Sequence, residues 1–114
     1  MNNIREQLEG IDFSDGRIER VELVSGEVLI VFKNWQERIL RLRFKGVVYF
    51  KSFEFGSDDT EVQIVNDTEE IKEAIRVIEQ DGGSIKAYPN LLQITFISDA
   101  PVMMVVFQEF ENES

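Results

Sequence analysis

Few side chains in this sequence have the type and spacing to do chemistry. Asp12, Ser14, Asp15 and Gly16 follow the order of the first half of a calcium-binding loop, where nearby side-chain oxygens converge on a hard cation. The glycine comes one place early, and the twelfth position of such a loop, which needs a bidentate glutamate, is Leu23. Turn chemistry, with a short acid or hydroxyl capping a local backbone N–H ahead of a strand, accounts for the same residues. Asp58 and Asp59 offer a cation two adjacent carboxylates, a pattern shared with solvated turns. With 22 Asp and Glu, some carboxylates must lie close together, so proximity alone marks none of them for general acid–base work. The chain has no His and no Cys, which removes imidazole and thiolate ligands and every dyad or triad built on them. No serine sits in a G-x-S-x-G elbow, and Asp81-Gly82-Gly83 follows a helical pattern where a phosphate cradle would precede one. No catalytic residue, cofactor or metal is indicated, and a non-enzymatic protein is expected.

The residues better suited to recognition lie between 33 and 51. Lys33, Arg38, Arg41, Arg43, Lys45 and Lys51 face the single acid Glu37, a local charge of +5 in a chain whose net charge is -10. They form either an anion or partner site on one hairpin, or one half of cross-strand charge pairs completed by Glu19, Glu22, Glu27 and Glu54. Pairing is the favoured reading, because antiparallel sheets commonly alternate charge across their rungs. Trp35 is the only tryptophan and stands close to Arg38. Trp and Arg dominate interface hot spots, although a lone Trp in a small domain more often folds back over the end of the core. Trp35, Arg38, Arg41 and Arg43 are the candidate partner-binding residues.

An overall charge of -10 repels phosphate backbones and anionic lipid, so neither nucleic acid nor membrane is an expected partner. The longest apolar run, residues 102–107, is far short of the roughly 18 that span a bilayer. The N-terminus, Met1-Asn2-Asn3-Ile4-Arg5-Glu6, lacks the apolar stretch of a signal peptide, and a cytoplasmic location is expected.

The elements that position these residues are mostly strands. Residues 3–9 have the spacing of a short helix, with Ile4 and Leu8 on one face and Gly10 as the stop. From Arg17 the period switches to two, and Ile18 falls out of step with Val21 unless a bulge lies near Glu19. Ser25-Gly26 marks a two-residue hairpin into 27–33, whose run from Val28 to Phe32 suggests burial on both faces. Residues 38–44 alternate, Leu40, Leu42 and Phe44 inward against Arg41 and Arg43 outward. Lys45-Gly46 leads into a strand over 47–55, completing a four-strand meander, and 61–65 gives a fifth that could be an edge. Asp67 and Glu70 have capping-box spacing, Ile71, Ala74, Ile75 and Ile78 form an apolar stripe, and Gly82-Gly83 ends the helix. Strands over 84–87, 91–97 and 102–110 follow, with a turn at Tyr88-Pro89-Asn90 and a polar tail at 111–114 expected to fray. The run 102–107 reads as core, or as an adhesive edge able to form a homodimer if it is not central.

The 114 residues make one domain, 1–114, without repeat or linker. The expected fold class is α+β: a mostly antiparallel β-meander sheet of about eight strands with one amphipathic helix packed on it, or alternatively a small β-sandwich or curled sheet.

The succession Ile18-x-x-Val21, Val28-x-Ile30-x-Phe32-x-x-Trp35 and Leu42-x-Phe44-x-x-Val47 resembles the first half of several small bacterial families, some grouped with immunity proteins of polymorphic toxins. The resemblance covers about thirty mostly hydrophobic positions and implies a small, soluble, acidic, non-enzymatic protein that neutralises a partner toxin. It assigns no binding residue. Acidity agrees independently, since an acidic surface speeds capture of a basic target. The expected function is an acidic protein-binding module of immunity type. The alternatives are a small-molecule-binding domain with a cavity between helix and sheet, lined by Phe44, Tyr49, Phe53 and Phe96, and a self-associating structural domain.

Overall fold

The computed structural model describes residues 4–53, 59–83 and 91–113. The chain begins with helix α1 (Ile4–Glu9) and then runs a meander of β1 (Arg17–Val24), β2 (Glu27–Lys33) and β3 (Ile39–Lys45). It continues through β4 (Tyr49–Ser52), β5 (Glu61–Val65), helix α2 (Glu69–Gln80), β6 (Leu92–Ser98), β7 (Ala100–Phe107) and β8 (Glu109–Asn112). All pairings between these strands are antiparallel, and the class is α+β.

The strands divide between two open sheets, ordered β1-β2-β3-β8 and β4-β7-β6-β5. The expected single meander therefore holds only for β1 to β3, and β4 leaves for the second sheet. Two paired segments turn the corner together. Gly46, at φ +60, bends the chain between β3 and β4, while Gln108 bends it between β7 and β8. The Gln108 N–H donates to the Lys45 carbonyl at 3.1 Å, and the Val48 N–H donates to the Val106 carbonyl at 2.9 Å, so hydrogen bonding continues around the bend. Strands that switch sheets at a bend are how the corners of a sandwich are made. Residues 102–110 are consequently two strands rather than one, and the second of them occupies the expected tail: Glu111 and Asn112 pair with Arg43 and Leu42, and the Glu113 N–H donates to the Arg41 carbonyl at 2.8 Å.

Alternation decides what faces the core. Ile30, Phe32, Leu42 and Phe44 of the first sheet meet Ile94, Phe96, Met103, Val105 and Phe107 of the second, all but inaccessible to solvent. The rings interlock edge to face, Phe44 on Phe107 at 4.8 Å and Phe13 on Phe32 at 5.3 Å, a geometry the aromatic quadrupole favours. The register shift between Ile18 and Arg20 is the bulge expected near Glu19, and it brings Ile18 and Val21 onto the core face. Helix α1 contributes fully buried Leu8 to the same core.

The outer faces differ. Leu29 and Val31, buried on the outside of β2, explain its unbroken apolar run: beside them on the same face stand Arg20, Glu22, Arg41 and Arg43, whose aliphatic stems can shield apolar groups. On the second sheet Gln93, Thr95 and Val106 point away from the core and are also buried, because α2 lies against this side with Ile71 and Ala74 covered. The N-cap of α2 is Thr68, one place after the expected Asp67. Its hydroxyl accepts from the Ile71 N–H at 3.1 Å and donates to Gln93 Oε1 at 2.5 Å, and Gln93 Nε2 donates to Thr95 Oγ1 at 2.9 Å. One hydroxyl thus starts the helix and fastens it to β6, which a carboxylate at the cap could not do with Gln93 in this orientation. Thr68→Val is expected to lower stability by about 2–3 kcal/mol, combining a lost cap with a buried amide oxygen left without its donor. Urea denaturation checks it, and a loss under about 0.5 kcal/mol would show that the contact is dispensable.

The expected strand over 84–87, the turn at Tyr88-Pro89-Asn90, Asp58, and Glu54 as a cross-strand partner lie outside the described residues. No helix among the described residues is long and apolar enough to cross a membrane.

Candidate protein-binding surface

The turn between β2 and β3 is organised by Asn34, which is buried although polar. Its Oδ1 accepts from the backbone N–H of Gln36 and of Arg38, both at 3.0 Å, and its Nδ2 reaches the Asp12 carbonyl at 3.4 Å. Asn34 thereby stands in for a backbone turn and throws Trp35 outward. Trp35 is 56% exposed, but it is tethered. Its indole N–H donates to Asp12 Oδ2 at 2.8 Å, and its backbone N–H donates to the Ser14 carbonyl at 3.2 Å. Asp12 Oδ1 in turn accepts from the Ser14 N–H at 3.0 Å, so the acid cluster at 12–16 does turn chemistry and positions the indole. Among the described residues no group of three or more acidic side chains is placed to hold a metal ion.

The ring borders a shallow groove of about 240 Å³, whose walls include Asp15, Arg17, Lys33 and Glu37. Arg38 is exposed on the same turn, and Ile39, 45% exposed, begins β3 beside it. The structure therefore places Trp35 and Arg38 on one turn and adds Ile39 and Asn34, which sequence reasoning did not select, and Asp12, which it considered only as a cation ligand or turn cap. A polar residue directly before Trp35 was the available signal for Asn34, whereas the Asp12 contact spans 23 positions and leaves no local trace.

Arg41 and Arg43 lie farther along the outer face of β3. Arg43 Nη1 is 3.0 Å from Glu27 Oε1 and its Nε is 3.1 Å from Glu113 Oε2, while Lys45 Nζ is 3.0 Å from Glu111 Oε2. Lys33 adds a pair with Glu37 at 3.8 Å, and Lys51 Nζ sits 4.9 Å from the centre of the Phe53 ring. The basic stretch is thus extensively neutralised, as the pairing reading expects, with a partial change of partners. Glu27 takes part, but Glu111 and Glu113 of the supposed tail supply the rest, while Glu19 and Glu22 pair with Arg17 and Arg20 of their own strand. Hydrogen bonding to Glu113 and then Glu27 raises the Arg43 pKa, the same contact lowers that of Glu113, and hydrogen bonding to Glu111 raises that of Lys45. Arg43 is a clamp between strands more than a cation offered to a partner.

Of the four aromatic residues expected around a cavity between helix and sheet, two point into the core between the sheets rather than toward α2. Phe44 and Phe96 are fully buried between the sheets, and Phe53 is 49% exposed beyond β4. A groove of about 440 Å³ lies elsewhere, between the segment of Leu8, Ile11 and Phe13 and the β5 residues Glu61, Val62 and Ile64.

The Asp12 carboxyl is held below the usual carboxylate range by the Ser14 N–H first, then by the Ser14 hydroxyl and the Trp35 indole. A pKa depressed in the folded state adds stability above the unfolded value and loses it as pH falls through the folded value. Trp35 emission should therefore hold steady on acidification through pH 3.8 and change below it, and Asp12→Ala should give the acid-form spectrum at neutral pH. A fluorescence titration with its midpoint above 3.8 would contradict the tether.

Comparison with protein-family models, with curated proteins and with solved structures finds no match to this chain.

Proposed function

We propose that the protein is a non-enzymatic, acidic protein-binding module, of the immunity type its resemblance implies, that docks on and blocks a partner through the turn carrying Trp35. The observation that supports this reading is the indole itself, more than half exposed yet held by Asp12 and Ser14. A large ring fixed before binding loses little freedom when it is covered, which is what an interface anchor requires. Arg38 and Ile39 beside it supply a cation and an apolar edge. The partner would be basic, drawn in by the net charge of -10 and bound faster at low salt.

The test uses tagged wild-type and Trp35→Ala proteins, matched for thermal midpoint, on lysate from the source organism. The retained protein is then purified and titrated. Support is a stoichiometric partner whose addition shifts Trp35 emission to the blue and whose affinity falls about 30-fold or more in Trp35→Ala. A partner bound equally by both proteins, or a column empty at low and moderate salt, would overturn the reading.

A further inference from the structure

We infer that β1 is a homodimerisation edge, along which a second copy of this chain pairs antiparallel with a two-fold axis at Val21. Among the described residues the sheet edges are β1, β8, β4 and β5, and three of these are unsuited to self-pairing. Along β5 the Ile64 carbonyl accepts from Arg5 Nη2 at 3.1 Å and the Thr60 N–H donates to Gly16 at 2.8 Å, so both ends are occupied. β8 has four residues and carries Glu109 and Glu111, with Glu113 beyond it, a row of like charge against its own copy. β4 also has only four residues, with α2 lying against it.

β1 has eight residues, and among the described residues no strand pairs with it on its outer side. Its far end is conspicuously apolar for an open edge, with Leu23 64% and Val24 59% exposed. Val24 and Glu27 close the Ser25-Gly26 turn, so their backbone groups face each other, and alternation turns the N–H and C=O of Val21 and Leu23 toward the open side.

Charge then selects the register. Two copies related by a two-fold axis can align only with a residue opposite itself, because any other offset sets one face of the sheet against the other. An axis at Arg20 or Glu22 would oppose like charges, and one at Leu23 would set Glu22 opposite Val24 and Arg20 opposite Gly26, leaving no complementary pair. An axis at Val21 sets Arg20 opposite Glu22 of the second copy and Glu22 opposite its Arg20, giving two complementary pairs. Val21 meets Val21, using backbone groups that already point outward, and each Leu23 lies diagonal to the other copy's Val21. The Arg20–Glu22 pair within one strand, 3.2 Å apart and well exposed, exchanges partners without leaving a charge alone. The β1-β2-β3-β8 sheet of one copy becomes continuous with that of the other, and the Trp35 turns remain away from the axis.

Sedimentation equilibrium over a concentration series up to the millimolar range tests the inference. The wild-type protein should approach twice the 13.2 kDa of one chain. Glu22→Arg should weaken association about ten-fold or more by setting like charges across the axis, and the double variant Arg20→Glu/Glu22→Arg should restore it. Val21→Pro, which removes an outward N–H that β2 does not use, should abolish the dimer while keeping the far-UV spectrum of the fold. A mass of 13.2 kDa at every concentration would overturn the inference, as would a dimer indifferent to Glu22→Arg or a double variant no stronger than the single one. None of these readouts depends on Trp35 or on a captured partner.

Discussion

Replacing Gly16 with alanine, the smallest side chain that can be added, is expected to cost about 3 kcal/mol or more, at or above the upper end of the usual range for overpacking. A Cβ at Gly16 would stand 2.3 Å from the Phe32 ring and 2.5 Å from the Lys33 carbonyl oxygen. Neither neighbour can yield cheaply. Phe32 is fully buried in the core, and the Lys33 oxygen belongs to the backbone of interior strand β2. Gly16 also links the two sheets, since its carbonyl accepts from the Thr60 N–H at 2.8 Å, and displacing it strains that link as well. The reason for glycine here is space rather than conformation. Gly26→Ala provides the contrast: nothing lies within 4 Å of its Cβ, and only the strain of φ +75 remains, about 1 kcal/mol. In urea, Gly16→Ala should move the midpoint down with the slope unchanged. A shift no larger than that of Gly26→Ala would mean that the two sheets are less closely fitted than their geometry indicates.

Phe44→Ala should cost about 3–5 kcal/mol, the usual range for a buried aromatic truncated to alanine. Its ring is fully buried between Phe107 at 4.8 Å and Phe110 at 5.3 Å, which places it at the corner where both bent segments pass. The cavity would open beneath β8, whose four residues pair, among the described residues, with β3 alone. Amides of Glu109–Asn112 should consequently lose exchange protection before those of β2, a local effect that a uniform loss of stability would not produce. Phe53→Ala, at a half-exposed position, should stay within about 1 kcal/mol of wild type. Equal losses for the two variants would refute the assignment of Phe44 to the corner.

Local features were legible in the sequence where one strand or helix face decides them. The bulge at Glu19, the Ser25-Gly26 hairpin, the inward Leu40, Leu42 and Phe44, and the span of 61–65 each follow from periodicity and turn chemistry, and each is present. What periodicity does not carry is which strand lies beside which. The apolar run from Val102 ends at Phe107, and nothing local says that a sheet boundary falls at Gln108, because the bend depends on Gly46 and Lys45 lying opposite. The same limit explains the polar tail. Glu111 and Glu113 look like a solvated end until Arg43 and Lys45 are known to stand opposite them. At the candidate site, Trp35 and Arg38 were selected by residue type alone, while the tether from Asp12 and the brace from Asn34 depend on chain segments brought together only by folding.

The two bent segments that pass from one sheet to the other also set the order in which the molecule can assemble. β1 to β3 are joined by short turns, so their ladder closes small loops and needs little chain to be fixed in advance. β3 acquires its second neighbour only when Lys45 meets Glu109, roughly sixty positions later. That closure is the late, entropically expensive event of a high-contact-order fold, and it places folding on the millisecond-to-second scale of sandwiches rather than that of helical bundles. Until it happens, the meander presents the exposed flank of β3 to any other strand it encounters, so the interval before β8 docks is when misassembly between chains would occur.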